Sequence, residues 1–214
     1  MQQVSTPSPA VRDYIFRSEA ATMLFLRSQT HVPVPKVFGW AAESDADNDV
    51  GVGYILMEKL EGKPPDWEKL TAQWKEKVMQ QLADVFLEIE AQAFGKIGSL
   101  MLSGQEEIFL AFQGLTCSSI FEYGRPWGPF DSSIAAAHII VESYLDRIVN
   151  GEMGIGELDN VYFAHRFRLD IFHEIWDGRQ EGQQEEFYLK HPDDKDDHIL
   201  VDDSLNIVSI VDWE

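Results

Sequence analysis

The sequence predicts an α+β fold: a small N-terminal part with one helix and an antiparallel pair of strands, then a mainly helical part that closes with a β-hairpin. Apolar residues recur every three or four positions in several stretches, which is typical of amphipathic helices. Short apolar runs at residues 37–41 and 53–60 flank a polar turn, and runs at 199–201 and 207–211 flank the turn-rich sequence DDSLN. Paired runs of this kind predict two β-hairpins.

The N-terminal helix is predicted over residues 18–28, with Ser18 as its capping residue. Residues 1–10 are polar and include two prolines, so we expect them to be loose. The acidic run ESDADND at residues 43–49 predicts a solvated turn between the first two strands.

A break in the pattern at residues 61–66, EGKPPD, divides the chain into an N-terminal part, residues 1–60, and a C-terminal part, residues 61–214. A long amphipathic helix follows the break. We expect its apolar face to pack into the core through Leu70, Trp74, Val78, Leu82, Phe86 and Ile89.

Two further helices are predicted at residues 134–149 and 161–176. The second carries His165 and His173, and because no third ligand has a suitable spacing, ordinary packing is favoured over a zinc site. The first is expected to place its apolar side on Ile139, Ile140, Tyr144 and Ile148.

The charge balance restricts the kinds of partner. The chain has 17 Lys and Arg against 37 Asp and Glu, a net charge of −20. Nucleic acids and anionic membranes both require basic surfaces, so we expect neither as a partner. No apolar run approaches the roughly 18 residues of a membrane span.

The cellular compartment is predicted from cysteine usage and the N-terminus. Cys117 is the single cysteine, so no disulfide can form within the chain, and a reducing compartment is favoured. The N-terminus shows no signal-peptide pattern. We expect a cytoplasmic protein, and a mitochondrial location stays open if the N-terminus is incomplete.

Two carboxylates bracket the final hairpin: Asp193 before its first strand and Asp212 after its second. If the strands pair, both side chains emerge at the open end and lie close together. Phosphoryl transfer needs two such groups, one for the proton of the attacking hydroxyl and one for the magnesium that neutralises the phosphates.

This segment, His191-Pro-Asp193 with Asp212-Trp213-Glu214, resembles the catalytic and metal-binding loops of aminoglycoside phosphotransferases and their choline-kinase-like relatives. Those proteins have the protein-kinase-like fold. The resemblance extends from about residue 17 to residue 214 and includes, in the family's order, RSEAATM at 17–23, HVPVPKVFGW at 31–40, GYILME at 53–58 and GKIGSL at 95–100.

The resemblance implies an ATP-dependent transfer of phosphate to a small-molecule hydroxyl, with Mg²⁺ as the cofactor. In that pattern Asp193 is the general base, and His191 belongs to the catalytic segment and is expected to support its loop through hydrogen bonds. Asp212 is a magnesium ligand, and so is the residue at position 198.

The N-terminal part would bind the nucleotide. The resemblance places the backbone of Glu58, Lys59 and Leu60 against adenine, and it assigns Glu19 to pairing with an ATP-binding lysine. From the residues alone, Glu19 is instead favoured as a helpful negative charge in the first turn of its helix.

The chain departs from the family's pattern in two places. His198 stands where the family has Asn, and both a metal-ligand role and a structural role stay open for it, because magnesium prefers oxygen donors. Only residues 1–16 precede the Glu19 helix, they contain no glycine, and the first lysine is Lys36. The resemblance therefore implies a domain truncated at both ends, with a reduced N-terminal lobe.

Two alternatives to an active kinase follow. The first is an inactive pseudokinase or domain fragment that serves as a binding module, with self-association through an exposed sheet edge. The second is a metal-dependent hydrolase, whose ligands would have to come from His191, Asp193, His198 and Asp212.

Overall fold

The computed structural model describes residues 9–102, 128–152, 158–176, 185–191 and 196–213. Within these residues the fold is mixed α/β, which fits the predicted α+β class, with four α-helices and two two-stranded antiparallel sheets. In chain order the elements are α1 (Pro9–Gln29), β1 (Val37–Ala41), β2 (Tyr54–Met57), α2 (Ala72–Glu90), α3 (Ser133–Val149), α4 (Leu158–Trp176), β3 (Ile199–Val201) and β4 (Ile207–Ile210).

Helix α1 begins at Pro9 and not at the predicted cap, Ser18. Proline is well suited to the first helical position, because the N–H that it lacks would have no partner there. Ser18 is consequently a buried residue in the middle of the helix, and its carbonyl accepts a hydrogen bond from the Thr22 hydroxyl at 2.9 Å. The prediction of a loose segment is wrong for Pro9 and Ala10, and residues 1–8 lie outside the described residues.

The first predicted hairpin is confirmed, with a shorter second strand. Strand β1 pairs antiparallel with β2, so that Ala41 lies opposite Tyr54 and Val37 opposite Met57, with a bulge between Val37 and Gly39. The composition of the acidic turn after β1 predicted that it would be solvated, but two of its carboxylates form ion pairs. Glu43 pairs with Arg12 at 2.7 Å and Asp45 pairs with Arg17, so two arginines of α1 hold the turn.

Helix α2 is capped by Thr71, whose side chain accepts from the backbone N–H of Trp74 at 3.3 Å. The predicted core face is partly wrong, because the side chains of Trp74 and Phe86 are 43% and 61% exposed. At about 100° per residue, Phe86 lies about 80° around the helix from Val78, the most buried position. The face that packs inward consists of Val78, Leu82, Val85 and Ile89.

Helices α3 and α4 pack against each other through Val141, Leu145 and Leu169. The apolar side predicted for α3 is wrong at Ile139, which is 38% exposed. The ring of His165 stacks on Tyr144 with 5.0 Å between centroids, as expected of a packed histidine. The side chain of His173 lies outside the described residues.

The largest hydrophobic cluster joins residues from both sides of the break at residues 61–66. It contains Met23 and Leu26 of α1, together with Ile89, Ile210 and Trp213 from the second part. The predicted division of the chain stays a prediction, but its two parts share this core. None of the helices in the described ranges is long and apolar enough to cross a membrane.

Candidate functional site

The second predicted hairpin is also confirmed and carries the candidate site. Strands β3 and β4 pair antiparallel with Ile199 opposite Ile210. The turn between them is organised by Asp202, whose carboxylate accepts from the backbone N–H groups of Ser204 at 2.9 Å and Asn206 at 2.8 Å. The hydrogen bond from the Asn206 backbone is the largest cause that holds the pKa of Asp202 below its ordinary value.

Helix α2 holds this turn from the side. The Gln81 amide donates to the carbonyl of Leu205 at 2.9 Å and accepts from the N–H of Ile207, also at 2.9 Å. Lys77 donates to the carbonyl of Ser204 at 2.6 Å. The sequence offered no signal for these contacts, because Gln81 and Lys77 are more than a hundred residues from their partners and look like ordinary polar positions of an amphipathic helix.

Two other segments of the chain hold the hairpin, one at each end. The N–H of Ile210 donates to the carbonyl of Pro33 at 2.7 Å. Lys63 and Val201 exchange two backbone hydrogen bonds, at 3.1 and 3.0 Å, so part of the predicted break pairs with β3. The position of the site is thus fixed from both parts of the chain.

His191 lies beside the open end and supports it. Its Nε2 is 2.9 Å from the carbonyl oxygen of Val211. Because a carbonyl can only accept, Nε2 carries the proton in this bond. The ring also packs edge-on against Trp213, with 4.8 Å between centroids. These two contacts join His191 to the segment that follows β4, and its predicted support of the catalytic loop stays a prediction.

His198 and Asp212 face each other directly. Nδ1 of His198 lies 3.2 Å from Oδ2 of Asp212, and Nε2 lies 3.3 Å from Oδ1 of Asp197. The His198 side chain is 12% exposed and that of Asp212 is 42% exposed, so the carboxylate is open to a solute while the imidazole is shielded. The sequence did not single out Asp197, because it is one of four aspartates within five residues.

Asp212 adopts a left-handed backbone conformation, with φ of 67°. Aspartate is one of the few residues other than glycine that visit this region readily. The neighbouring backbone is tied down on both sides: the N–H of Val211 donates to the carbonyl of His198 at 3.0 Å, and the indole of Trp213 donates to the carbonyl of Ile210 at 3.0 Å. These bonds direct the Asp212 carboxylate towards His198.

Asp193, the predicted general base, lies outside the described residues. Its closeness to Asp212 therefore stays a prediction. His191 precedes it by two residues and contacts Val211 and Trp213, on either side of Asp212.

The donor atoms fit a divalent cation but do not fit magnesium well. Of the predicted ligands, Asp212 supplies oxygen and His198 supplies nitrogen, whereas magnesium strongly prefers oxygen. Within the described ranges no group of three or more His, Cys, Asp or Glu side chains is arranged to hold a metal ion. The four-ligand set of the hydrolase alternative includes Asp193, so it extends beyond those ranges.

Three of the predicted nucleotide-binding residues, Glu58, Lys59 and Leu60, follow β2 in the chain. Glu58 follows β2, its N–H donates to the carbonyl of Lys36 at 2.8 Å, and its carboxylate accepts from the N–H of Lys36 at 3.2 Å. Glu58 thus extends the strand pairing, and Lys59 and Leu60 continue the chain from it. Glu19 lies in the middle of α1, so its predicted role in a first helical turn is wrong.

Part of the chain is similar to a known fungal protein. A stretch of 100 residues is 38% identical to a subtelomeric hrmA-associated cluster protein of Aspergillus fumigatus, in each of two strains. The matched stretch is 46% of this chain and 19% of that protein, so the match spans about a fifth of the relative's length. No family model matches the chain. No solved structure matches it either.

Proposed function

We propose that this chain is a phosphotransferase of the protein-kinase-like fold, which transfers the γ-phosphoryl group of ATP to a hydroxyl of a small molecule. The observation that carries the proposal is the contact between His198 and Asp212 at the open end of the hairpin. The resemblance assigns both positions to the metal, and the pairing of Ile199 with Ile210 brings them together at the open end of the hairpin.

The roles follow from the chemistry of the groups. Asp193 accepts the proton of the acceptor hydroxyl as its oxygen forms a bond to the γ-phosphorus, and the bond from that phosphorus to the leaving ADP oxygen breaks. His191 holds the backbone beside Asp212 through its bond to Val211. A divalent cation bound at Asp212 would neutralise charge on the phosphates.

The acceptor is proposed as a small molecule and not a nucleic acid or a membrane lipid. The net charge of −20 repels polyanions and suits a cationic or neutral solute. The families that the chain resembles act on aminoglycosides and on choline, so an aminoglycoside and choline are the first acceptors to test.

Calorimetric titration of ATP with a divalent cation into the purified chain tests the nucleotide site. Binding should require the cation and be lost in Asp212→Asn, which removes the charge and keeps a residue that tolerates a left-handed backbone. Asp203→Asn is the matched control, because Asp203 lies in the same hairpin and its side chain is 98% exposed.

Transfer is then followed by ADP release with each acceptor. Asp193→Asn should retain ATP binding and slow transfer by about 10²–10⁴-fold, the usual contribution of a general base. If the folded parent chain binds no ATP in the presence of any divalent cation, the proposal is wrong.

An inactive binding module is the second candidate. The exposed apolar side chains of the first sheet favour it, because Phe38 is 60% and Leu56 59% exposed, and such a surface can bind a partner. ATP binding without transfer to any acceptor would support this candidate.

A further inference from the structure

A groove lies between α1 and the edge of β1. Its volume is about 430 Å³, within the range of roughly 300–1,000 Å³ that is usual for ligand pockets. All five residues of β1, Val37–Ala41, line it, together with Arg17 and Leu24 of α1. Because neighbouring side chains of a strand point to opposite faces, a groove lined by consecutive residues follows the edge of the strand and not one face.

This edge of β1 is suited to pairing with a further strand. In the described part of the chain β1 and β2 form a two-stranded sheet, so only one edge of β1 is used within that sheet. An extended peptide can add to the other edge through main-chain hydrogen bonds, while pockets beside the edge select its side chains. The five residues of β1 correspond to about 17 Å of such a strand.

Helix α1 holds the wall of the groove at Trp40. The guanidinium of Arg17 lies over the Trp40 ring, 5.5 Å from its centroid, and pairs with the carboxylate of Asp45. Asp45 also accepts a hydrogen bond from the N–H of Ala42 at 2.7 Å. These contacts fix the positions of Trp40 and of the turn after β1 relative to α1.

The end of the groove at this turn carries more negative than positive charge. The turn has four carboxylates: Glu43, Asp45, Asp47 and Asp49. Asp45 and Asp47 line the groove, and two arginines of α1 pair with two of the four carboxylates. This end therefore attracts a cation, and the net charge of −20 adds to the attraction of a basic partner.

We infer that the groove binds an extended basic peptide of a partner protein, which adds as a strand to β1 and places a lysine or arginine near Asp47. The opposite end is less favourable for a cation, because the ammonium of Lys36 lies there over the ring of Phe38, 5.3 Å from its centroid. A second copy of this chain is less suited to the groove, since two molecules of net charge −20 repel each other. The inference does not rest on the proposed phosphotransfer.

Fluorescence anisotropy with a labelled peptide of about eight residues, in which valine alternates with lysine, gives the test. A lysine then reaches the turn in whichever direction the peptide binds. The same peptide with glutamate in place of lysine is the control for charge. We expect the lysine peptide to bind at least about tenfold more tightly, and its binding should weaken as salt is added.

Two N-methylated versions of the lysine peptide test the pairing with β1. N-methyl groups on alternate residues remove the hydrogen-bond donors from one edge of an extended peptide and leave those of the other edge intact. Only one edge of the peptide faces β1. One methylated version should therefore lose binding, while the other should bind as the unmodified peptide does.

Three variants of the chain locate the binding. Asp47→Asn should weaken it about two- to fivefold, the usual effect of one exposed ion pair. Asp49→Asn is the matched control and should bind as the parent does, because Asp49 belongs to the same turn but does not line the groove. Gly39→Leu should weaken binding at least about tenfold, since a Cβ atom there meets nothing within 4 Å and a larger side chain has room to obstruct the groove. Circular dichroism confirms that each variant is folded.

Binding of the lysine peptide that is lost in Gly39→Leu and in one methylated version supports the inference. Equal effects of Asp47→Asn and Asp49→Asn overturn it, because the charge of the whole molecule would then be responsible. Equal binding of the two methylated versions, or no binding of the lysine peptide by the folded parent chain, also overturns it. None of these results bears on the phosphotransfer site, which is tested separately at Asp212.

Discussion

Asp212 has both a carboxylate at the candidate site and an unusual backbone conformation. Its carboxylate faces His198 at 3.2 Å, and its backbone lies in the left-handed region with φ of 67°. For most side chains that conformation costs roughly 1–2 kcal/mol. The hydrogen bonds of the adjacent Val211 and Trp213 hold the backbone in this conformation.

A comparison of Asp212→Ala with Asp212→Gly isolates the effect of the backbone conformation, because both variants lose the carboxylate. Alanine is strained in the left-handed region and glycine is not. Glycine also increases the conformational entropy of the unfolded chain, which lowers stability and partly offsets this difference. We expect the alanine variant to be less stable by about 1 kcal/mol, measured from urea unfolding midpoints.

The same pair of substitutions at Asp203, whose backbone is not left-handed, provides the control. There the order should reverse, with alanine the more stable variant. Equal stability of Asp212→Ala and Asp212→Gly would mean that the backbone relaxes out of the left-handed region.

The resemblance placed His198 and Asp212 in one site, but no pattern in the sequence indicated that Asp197 lies beside the same imidazole. The motif fixed the first two positions relative to two short strands, and strand pairing brings such positions together. Asp197 belongs to a run of similar residues, and only the turn Asp196–His198 directs its carboxylate to the imidazole. Composition alone cannot show which of several neighbouring aspartate side chains points at the imidazole of His198.

At the level of elements, the two hairpins were predictable and the helix faces were not. Each hairpin has two apolar runs and a turn in between, which is local information. In α2, apolar residues occupy more than one face, so spacing alone could not show that Phe86 is outside and Val85 inside. The choice is made by α1 and β4, which pack on that helix from distant parts of the chain.

Gly62 illustrates how closely the segment around Lys63 approaches the hairpin. A Cβ atom at position 62 would lie 2.7 Å from Cγ2 of Val208 and 3.0 Å from Cβ of Leu200. Gly62→Ala should therefore destabilise the protein by about 1–3 kcal/mol, as overpacking usually does. The measurement is the thermal unfolding midpoint.

Gly39→Ala is the matched control, because a Cβ atom there meets nothing within 4 Å. It should leave stability unchanged or slightly raised. Unfolding midpoints that agree between the two variants would contradict the close approach at Gly62.

The hairpin turn should contribute to the acid sensitivity of the protein. The pKa of Asp202 is lowered from its ordinary value of 3.8, so the folded state binds this proton less readily than the unfolded state. The resulting stabilisation is fully present above the ordinary value and is lost as the pH falls through the lowered pKa. Asp202→Asn should flatten the fall of the urea midpoint between neutral pH and about pH 2.

The effect of Asp202 should also persist at raised salt. Hydrogen bonds from Asn206 are the leading causes of the lowered pKa, and the charge of Lys77 is the smallest. Salt screens interactions between exposed charges much more than it weakens short hydrogen bonds. If raised salt removes the effect of Asp202 on the pH dependence of the urea midpoint, distant charges are responsible for it.

At the scale of the whole molecule, the first sheet leaves apolar surface uncovered. In the described part of the chain β1 and β2 form their sheet alone, and Phe38 and Leu56 are 60% and 59% exposed. Exposed strand edges with apolar side chains favour pairing with another chain. The net charge of −20 opposes that association by mutual repulsion.

We therefore expect self-association that increases with salt, measured by sedimentation, because salt screens the repulsion. Leu56→Lys should shift the distribution towards monomer, since a lysine on an edge strand discourages pairing. Phe86→Ser is the control, as it removes an exposed aromatic residue from α2 and leaves the sheet unchanged. Equal association of the two variants would place the contact elsewhere.

The cluster shared by α1, α2 and β4 has a consequence for a chain that has been nicked. Residues 61–66 form a mostly exposed link, while Met23, Ile89 and Ile210 on its two sides pack together beneath it. A protease that cuts this link breaks one peptide bond and leaves the buried apolar contacts intact. The two fragments should then elute together and separate only in denaturant, and separately expressed halves should complement each other to restore the fold.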